Sequence, residues 1–128
     1  VRVYYEDTDA GGVVYHSQYL NFMERARTEW LRHLGFHQTH LREDLNILFV
    51  VHSMSMQFKK PAKFDDCLIV SNQLMALGRG SFACHQTILR EHTQEILIEA
   101  DVKIACVNAI TFKPTGIPAS IKQSMESQ

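Results

Sequence analysis

At 128 residues the chain suits one compact domain, residues 1–128, and its 45% hydrophobic and 21% charged composition is that of a folded globular protein, not a disordered one. Thirteen basic and fourteen acidic residues give a net charge of −1, so no bulk electrostatic attraction to nucleic acid or an anionic membrane is built in. The longest apolar runs, such as Ile47 to Val51, are too short for an integral membrane segment.

Cys67, Cys84 and Cys106 are widely spaced and form no Cys-x-x-Cys, which excludes a zinc ribbon or a dithiol redox motif. They read as reduced, mostly buried thiols of a cytoplasmic protein, and nothing in the residues present suggests a targeting segment.

In chain order, Arg2 to Glu6 reads as a strand rich in Val and Tyr. A loop follows over residues 7–16, with Gly11 and Gly12 allowing unusual backbone angles. Ser17 is the expected N-cap of a long helix. Tyr19, Leu20, Met23, Ala26, Trp30, Leu31 and Leu34 form that helix's apolar stripe, and Gly35 ends it. A short helix or turn is expected over residues 39–44.

From Ile47 the period changes to two. Val50, His52, Met54, Met56 and Phe58 alternate with Val51, Ser53, Ser55, Gln57 and Lys59 until Pro61 stops the strand. Further strands are expected over residues 67–77 and 81–90, with a glycine turn between them. A last strand carries Ile96, Ile98, Ala100, Val102, Ile104 and Cys106 on one face and Glu99, Asp101 and Lys103 on the other. A short helix is expected from Ile117. One long helix followed by a run of antiparallel strands is α+β, and the economical arrangement is an antiparallel sheet curled around the helix.

The stretch Asp7-Thr8-Asp9-Ala10-Gly11-Gly12 carries the chemistry. Counting from Asp7, a calcium loop would need an oxygen ligand at the fifth place and Glu at the twelfth, where Gly11 and Gln18 stand. An aspartyl-phosphate phosphatase would need a Thr or Val at Gly11 and a larger doubly wound domain. A phosphate loop would need Lys-Ser/Thr where Val13-Val14 stands. What remains is a carboxylate beside a helix N-terminus, whose free N–H groups and dipole favour developing negative charge. That pairing suits acyl transfer, with a base or nucleophile on one side of a carbonyl and an oxyanion hole on the other. An Asp near a helix start is also a common cap, so the residues alone leave both roles open.

Arg2-Val3, then Thr8-Asp9, Gly12-Val13-Val14-Tyr15-His16, Tyr19 and Leu20 resemble the active-site signature of the 4-hydroxybenzoyl-CoA thioesterase family. With His at position 16, the resemblance is greatest to the family's Tol-Pal-associated acyl-CoA thioesterase branch. Phe58-Lys59-Lys60-Pro61-Ala62, Asp65-Asp66, Leu68 and Gly80-Ser81-Phe82 fall in the family's order along the rest of the chain. The resemblance implies the hotdog fold and hydrolysis of an acyl thioester. It implies that Asp9 is the catalytic nucleophile or general base, and that the backbone at His16 polarises the carbonyl, with the His16 imidazole also implicated. It further implies substrate contacts from Gly12 and Tyr15, and nucleotide-phosphate contacts from Arg79 and, more loosely, Lys113. No cofactor is implied beyond the coenzyme A of the substrate. The implied assembly is a homodimer or homotetramer with acyl-CoA between subunits, and acyl carrier protein is a further candidate partner.

Other residues carry less. His33, His37 and His40 have helical spacing, but Gly35 interrupts it and no acid or thiol completes a metal site. His52 reads as a core histidine of the strand, with Met54 and Met56 packing on the helix or lining an acyl channel. Glu24 reads as structural or substrate-adjacent. The rival readings are a hotdog dehydratase, which lacks its usual histidine loop here, and a non-catalytic acyl-thioester binding module, which would not need Asp9.

Overall fold

The long helix and the sheet it packs on follow directly from the two apolar periodicities. A computed structural model describes residues 1–9 and 16–127, with His16 described through its backbone alone. Helix α1 spans His16–His33 and buries Tyr19, Phe22, Met23 and Leu31. Each such side chain removed from water contributes about 1.5–3 kcal/mol. Ser17 therefore stands inside the helix and is not its N-cap. Leu20 is exposed, and Phe22 takes the buried place that the expected stripe gave it. At the other end Gly35 adopts φ 98°, the Gly35 N–H donates to the Arg32 carbonyl at 2.9 Å, and the Phe36 N–H donates to the Leu31 carbonyl at 2.9 Å. This doubly bonded stop needs the left-handed conformation that glycine adopts without penalty.

After the short helix α2 (Gln38–Glu43) come strands β1 (Ile47–Phe58), β2 (Leu68–Leu77), β3 (Ser81–Arg90) and β4 (Ile96–Asn108), then helix α3 (Ala119–Glu126). The four strands form one antiparallel sheet in the order β1-β4-β3-β2. Its inner face places Phe82, Cys84, Ile88, Ile98, Val102 and Ile104 in one core with the buried side of α1. Register shifts interrupt β1 between Val51 and Ser53, β2 between Leu74 and Ala76, and β3 between Ile88 and Leu89. Such irregularities bend strands and raise local twist, which lets the sheet curve around the helix.

Two expectations fail locally. Arg2 to Glu6 is not a strand: Arg2 makes one isolated bridge to Cys67, and Tyr5–Asp7 is a single 3-10 turn. In β1 the inward positions are Ile47 and Phe49 before the irregularity and Met54 and Met56 after it. One extra residue has switched the parity, and that residue is His52, which is exposed and not in the core.

Candidate active site

The two carboxylates of Asp7-Thr8-Asp9 have different surroundings. Asp7 is buried, and its Oδ2 accepts the Tyr4 N–H at 3.0 Å, so it caps its own turn. Thr8, also buried, donates its hydroxyl to the Tyr5 carbonyl at 2.7 Å. Asp9 follows the turn and is half-buried.

The Asp9 segment is held on the loop between β1 and β2. The Val3 N–H donates to the Asp66 carbonyl at 2.8 Å, and the Asp65 N–H donates to the Val3 carbonyl at 2.9 Å. The rings of Tyr5 and Phe64 meet edge to face with centroids 6.0 Å apart. Helix α1 reaches the same loop: the Tyr19 hydroxyl oxygen accepts the Ala62 N–H at 2.8 Å, and the Tyr19 ring lies tilted 5.9 Å from Phe58. Burial pushes the Tyr19 hydroxyl's pKa upward, partly offset by that hydrogen bond.

Arg90, at the end of β3, braces the loop. Its Nε donates to Asp66 Oδ2 at 3.2 Å, Nη2 to the Pro61 carbonyl at 3.0 Å, and Nη1 to Glu95 Oε1 at 2.8 Å. Lys60 pairs with the same Glu95, and its hydrogen bond, with that of Thr93, lowers the Glu95 carboxyl to about 2.

Helix α1 is described from His16 onward, which places the backbone of this position on the helix. Gly12, Tyr15 and the His16 side chain lie outside the described residues.

Arg79 and Lys113 are both exposed and belong to the other end of the sheet. The Arg79 carbonyl accepts the Ile117 N–H at 2.8 Å, and the Lys113 carbonyl accepts the Asn108 N–H at 2.9 Å. Gly80 lies between these segments, and a Cβ there would stand 3.1 Å from the Thr115 carbonyl oxygen. The Asp9 segment is anchored where β1 ends and β2 begins, whereas Arg79 follows the end of β2 and Lys113 the end of β4. A strand of this length spans about 30 Å. One copy of the chain thus brings Arg79 and Lys113 toward each other and keeps them a strand's length from the Asp9 anchor.

A cavity of about 520 Å³ lies between α1 and β1, with Leu20, Phe49 and Met54 on its apolar wall and Glu24, Arg27 and Thr28 on its polar one. Arg27 Nη1 donates to Gln86 Oε1 at 2.8 Å, and Gln86 Nε2 donates to the Met23 carbonyl at 3.0 Å. Gln86 is fully buried, and burial lowers the pKa of the Arg27 guanidinium. His33, His37 and His40 are exposed, with His40 Nδ1 2.6 Å from Asp44 Oδ2. Among the described residues no three His, Cys, Asp or Glu are grouped to hold a metal ion.

Sequence reasoning missed the roles of the Tyr19 hydroxyl, Arg90 and Gln86. Tyr19 was legible as an apolar position on the helix and as part of the family signature, but not as a hydroxyl that accepts the Ala62 N–H. Gln86 has a detectable signal, a polar residue at an inward position between Cys84 and Ile88, but its partner Arg27 lies 59 residues away.

Comparison with known proteins adds an independent line. The family model described as thioesterase-like superfamily matches residues 3–125. The acyl-CoA thioesterase YbgC of Haemophilus influenzae is 44% identical over 122 residues, covering 95% of this chain and 88% of that protein. A probable thioesterase from Bartonella henselae superposes with a TM-score of 0.86 at 39% identity, covering 92% of this chain and 95% of that one. The gentisyl-coenzyme A thioesterase BH1999 also gives a TM-score of 0.86, at 27% identity over 98% of this chain and 96% of its own.

Proposed function

The chain belongs to the thioesterase-like superfamily, and on that premise we propose that it is an acyl-CoA thioesterase, cleaving an acyl thioester with water to a free acid and coenzyme A. The likeness to a named thioester hydrolase along almost the whole chain carries this reading. The surroundings of Asp7 support the choice of Asp9 as the reacting carboxylate, because Asp7 is buried and committed to its own turn.

In the proposed reaction the thioester carbonyl oxygen faces the backbone N–H at His16 and the first-turn dipole, which stabilise its developing charge. Asp9 either takes a proton from water as the water oxygen attacks the carbonyl carbon, or attacks that carbon itself to form an anhydride that water then opens. Both routes expel the coenzyme A thiolate, a good leaving group near neutral pH that needs little acid assistance. No step requires a metal or a further cofactor. The cavity between α1 and β1 is the proposed seat of the acyl group, with Leu20 leading into it from the helix's second turn and Met54 on its wall.

The working form is proposed to be a cytoplasmic homodimer or homotetramer. Arg79 and Lys113 sit a strand's length from their own chain's Asp9 anchor, so nucleotide-phosphate contacts from these residues fall to a second copy. Among the described residues β1 is paired on one side only, and Val50 and Val51 along it are exposed, which leaves an edge for such a copy. Light scattering at micromolar concentration should give at least a dimer; a fully active monomer would contradict it.

Thiol release from a panel of acyl-CoA substrates tests the activity. Turnover on at least one member is expected. Conversion of hydroxyacyl thioesters to enoyl thioesters without thiol release would favour the dehydratase reading. Tight binding of acyl-CoA or acyl carrier protein without turnover would favour a binding module.

A further inference from the structure

Residues 10–15 separate two pieces of chain that are fastened to one loop. Val3 and Tyr5 hold the Asp9 side on residues 64–66, and Tyr19 holds α1 on Ala62. Both Tyr19 and Ala62 are almost fully buried, so the Ala62 N–H would have no water to replace the hydroxyl. A phenylalanine could fill the same space against Phe58, so the hydroxyl is there for its hydrogen bond, because an unpaired buried polar group is costly. The loop cannot drift as a unit either. The Arg90 guanidinium, only 18% exposed, grips the Pro61 carbonyl next to Ala62 and the Asp66 carboxylate next to the Val3 anchor. Asp66 Oδ2 also accepts the Lys63 N–H at 2.8 Å and closes the intervening turn.

We propose that Tyr19 is a positioning residue: through Ala62 and the Arg90-braced loop it fixes the spacing between the α1 N-terminus and the Asp9 segment. This inference rests on the reading of Asp9 as the reacting carboxylate. An acyl carbonyl must meet the helix N–H groups and the carboxylate at once, so a small error in their spacing raises the barrier while leaving affinity for the rest of the substrate intact.

The test is steady-state kinetics of Tyr19→Phe, Asp9→Asn and the double variant on one acyl-CoA, with helix content followed by circular dichroism. Tyr19→Phe is expected to lower kcat about 10–100-fold, the scale of a misplacement near 1 Å, with KM within threefold of wild type. The double variant is expected to be no slower than Asp9→Asn alone, because spacing matters only when there is a carboxylate to place. A Tyr19→Phe enzyme within twofold of wild-type kcat overturns the proposal, and so does a double variant whose losses multiply. Should Tyr19→Phe lose helix content, Arg90→Lys keeps the charge but not the fork. It must then show the same kcat loss at unchanged KM, and wild-type kcat in that variant overturns the proposal. Wild-type turnover in Asp9→Asn would instead remove the reading of Asp9, so the single variants tell the two failures apart.

Discussion

The two ends of the sheet are built on different principles. At the Asp9 end, Asp7, Tyr19, Asp66 and Arg90 are buried or largely so, and each makes at least one hydrogen bond to a backbone group of another residue. At the Arg79 end the backbone is pinned across Gly80 and Thr115, but the two cationic side chains lie in solvent. A buried, hydrogen-bonded framework holds a reacting group within tenths of an ångström, whereas exposed charges act over several ångströms and are screened by salt. Chemistry needs the first kind of construction; holding a phosphate needs only the second.

If that contrast is right, substitutions at the two ends should separate kinetically. The largest effect belongs to Asp9→Asn, which keeps the size of the side chain but removes its charge and basicity. Its kcat should fall roughly 10²–10⁴-fold, the range for a lost general base. Next comes position 16. His16→Ala keeps the helix-terminal N–H and should cost less than Asp9→Asn; His16→Pro deletes that N–H and should cost more than His16→Ala. Equal inactivity of His16→Ala and Asp9→Asn would make the imidazole part of the catalytic unit.

Arg79→Ala should raise KM only about two- to fivefold, as befits an exposed charge, and the difference from wild type should shrink in high salt. The smallest effect concerns acid. Glu95 is held near 2, below its usual 4.5, chiefly by Lys60. A carboxyl lowered on folding contributes stability above its unfolded pKa and loses it as pH falls through the folded value. Thermal melting of wild type should therefore drop more steeply than that of Glu95→Gln as pH falls from about 4.5 to about 2. Parallel curves would show that Glu95 does not brace the loop.

How legible each end was in the sequence follows the same physics. Strand β4 could be read from Ile98 onward, since its inward positions Ile98, Ala100, Val102, Ile104 and Cys106 keep one parity, but Ile96, expected on the same face, is exposed because the register shifts at Leu97. Strand β1 could not, because the extra residue at His52 reverses the parity midway and local sequence does not mark it. Gly35 gave away the end of α1, since a positive φ leaves a compositional trace. The start of α1 was misread because Ser17 looks like a cap, yet it stands inside the helix, and the serine alone does not reveal where the helical hydrogen bonds begin. Asp9 was singled out by its motif, yet the reason that Asp7 differs from it, a bond to the Tyr4 N–H, is a fact of the folded turn. The brace of Tyr19, Asp66 and Arg90 joins residues 24 to 43 positions apart in pairs, a separation over which neither periodicity nor spacing carries a signal.

The division of labour between the two ends is tested by the split between kcat and KM for Asp9→Asn and Arg79→Ala, measured by thiol release on one acyl-CoA at one ionic strength. Asp9→Asn is expected to lose kcat at nearly unchanged KM, while Arg79→Ala is expected to raise KM at nearly unchanged kcat. Near wild-type turnover in a folded Asp9→Asn variant would contradict it.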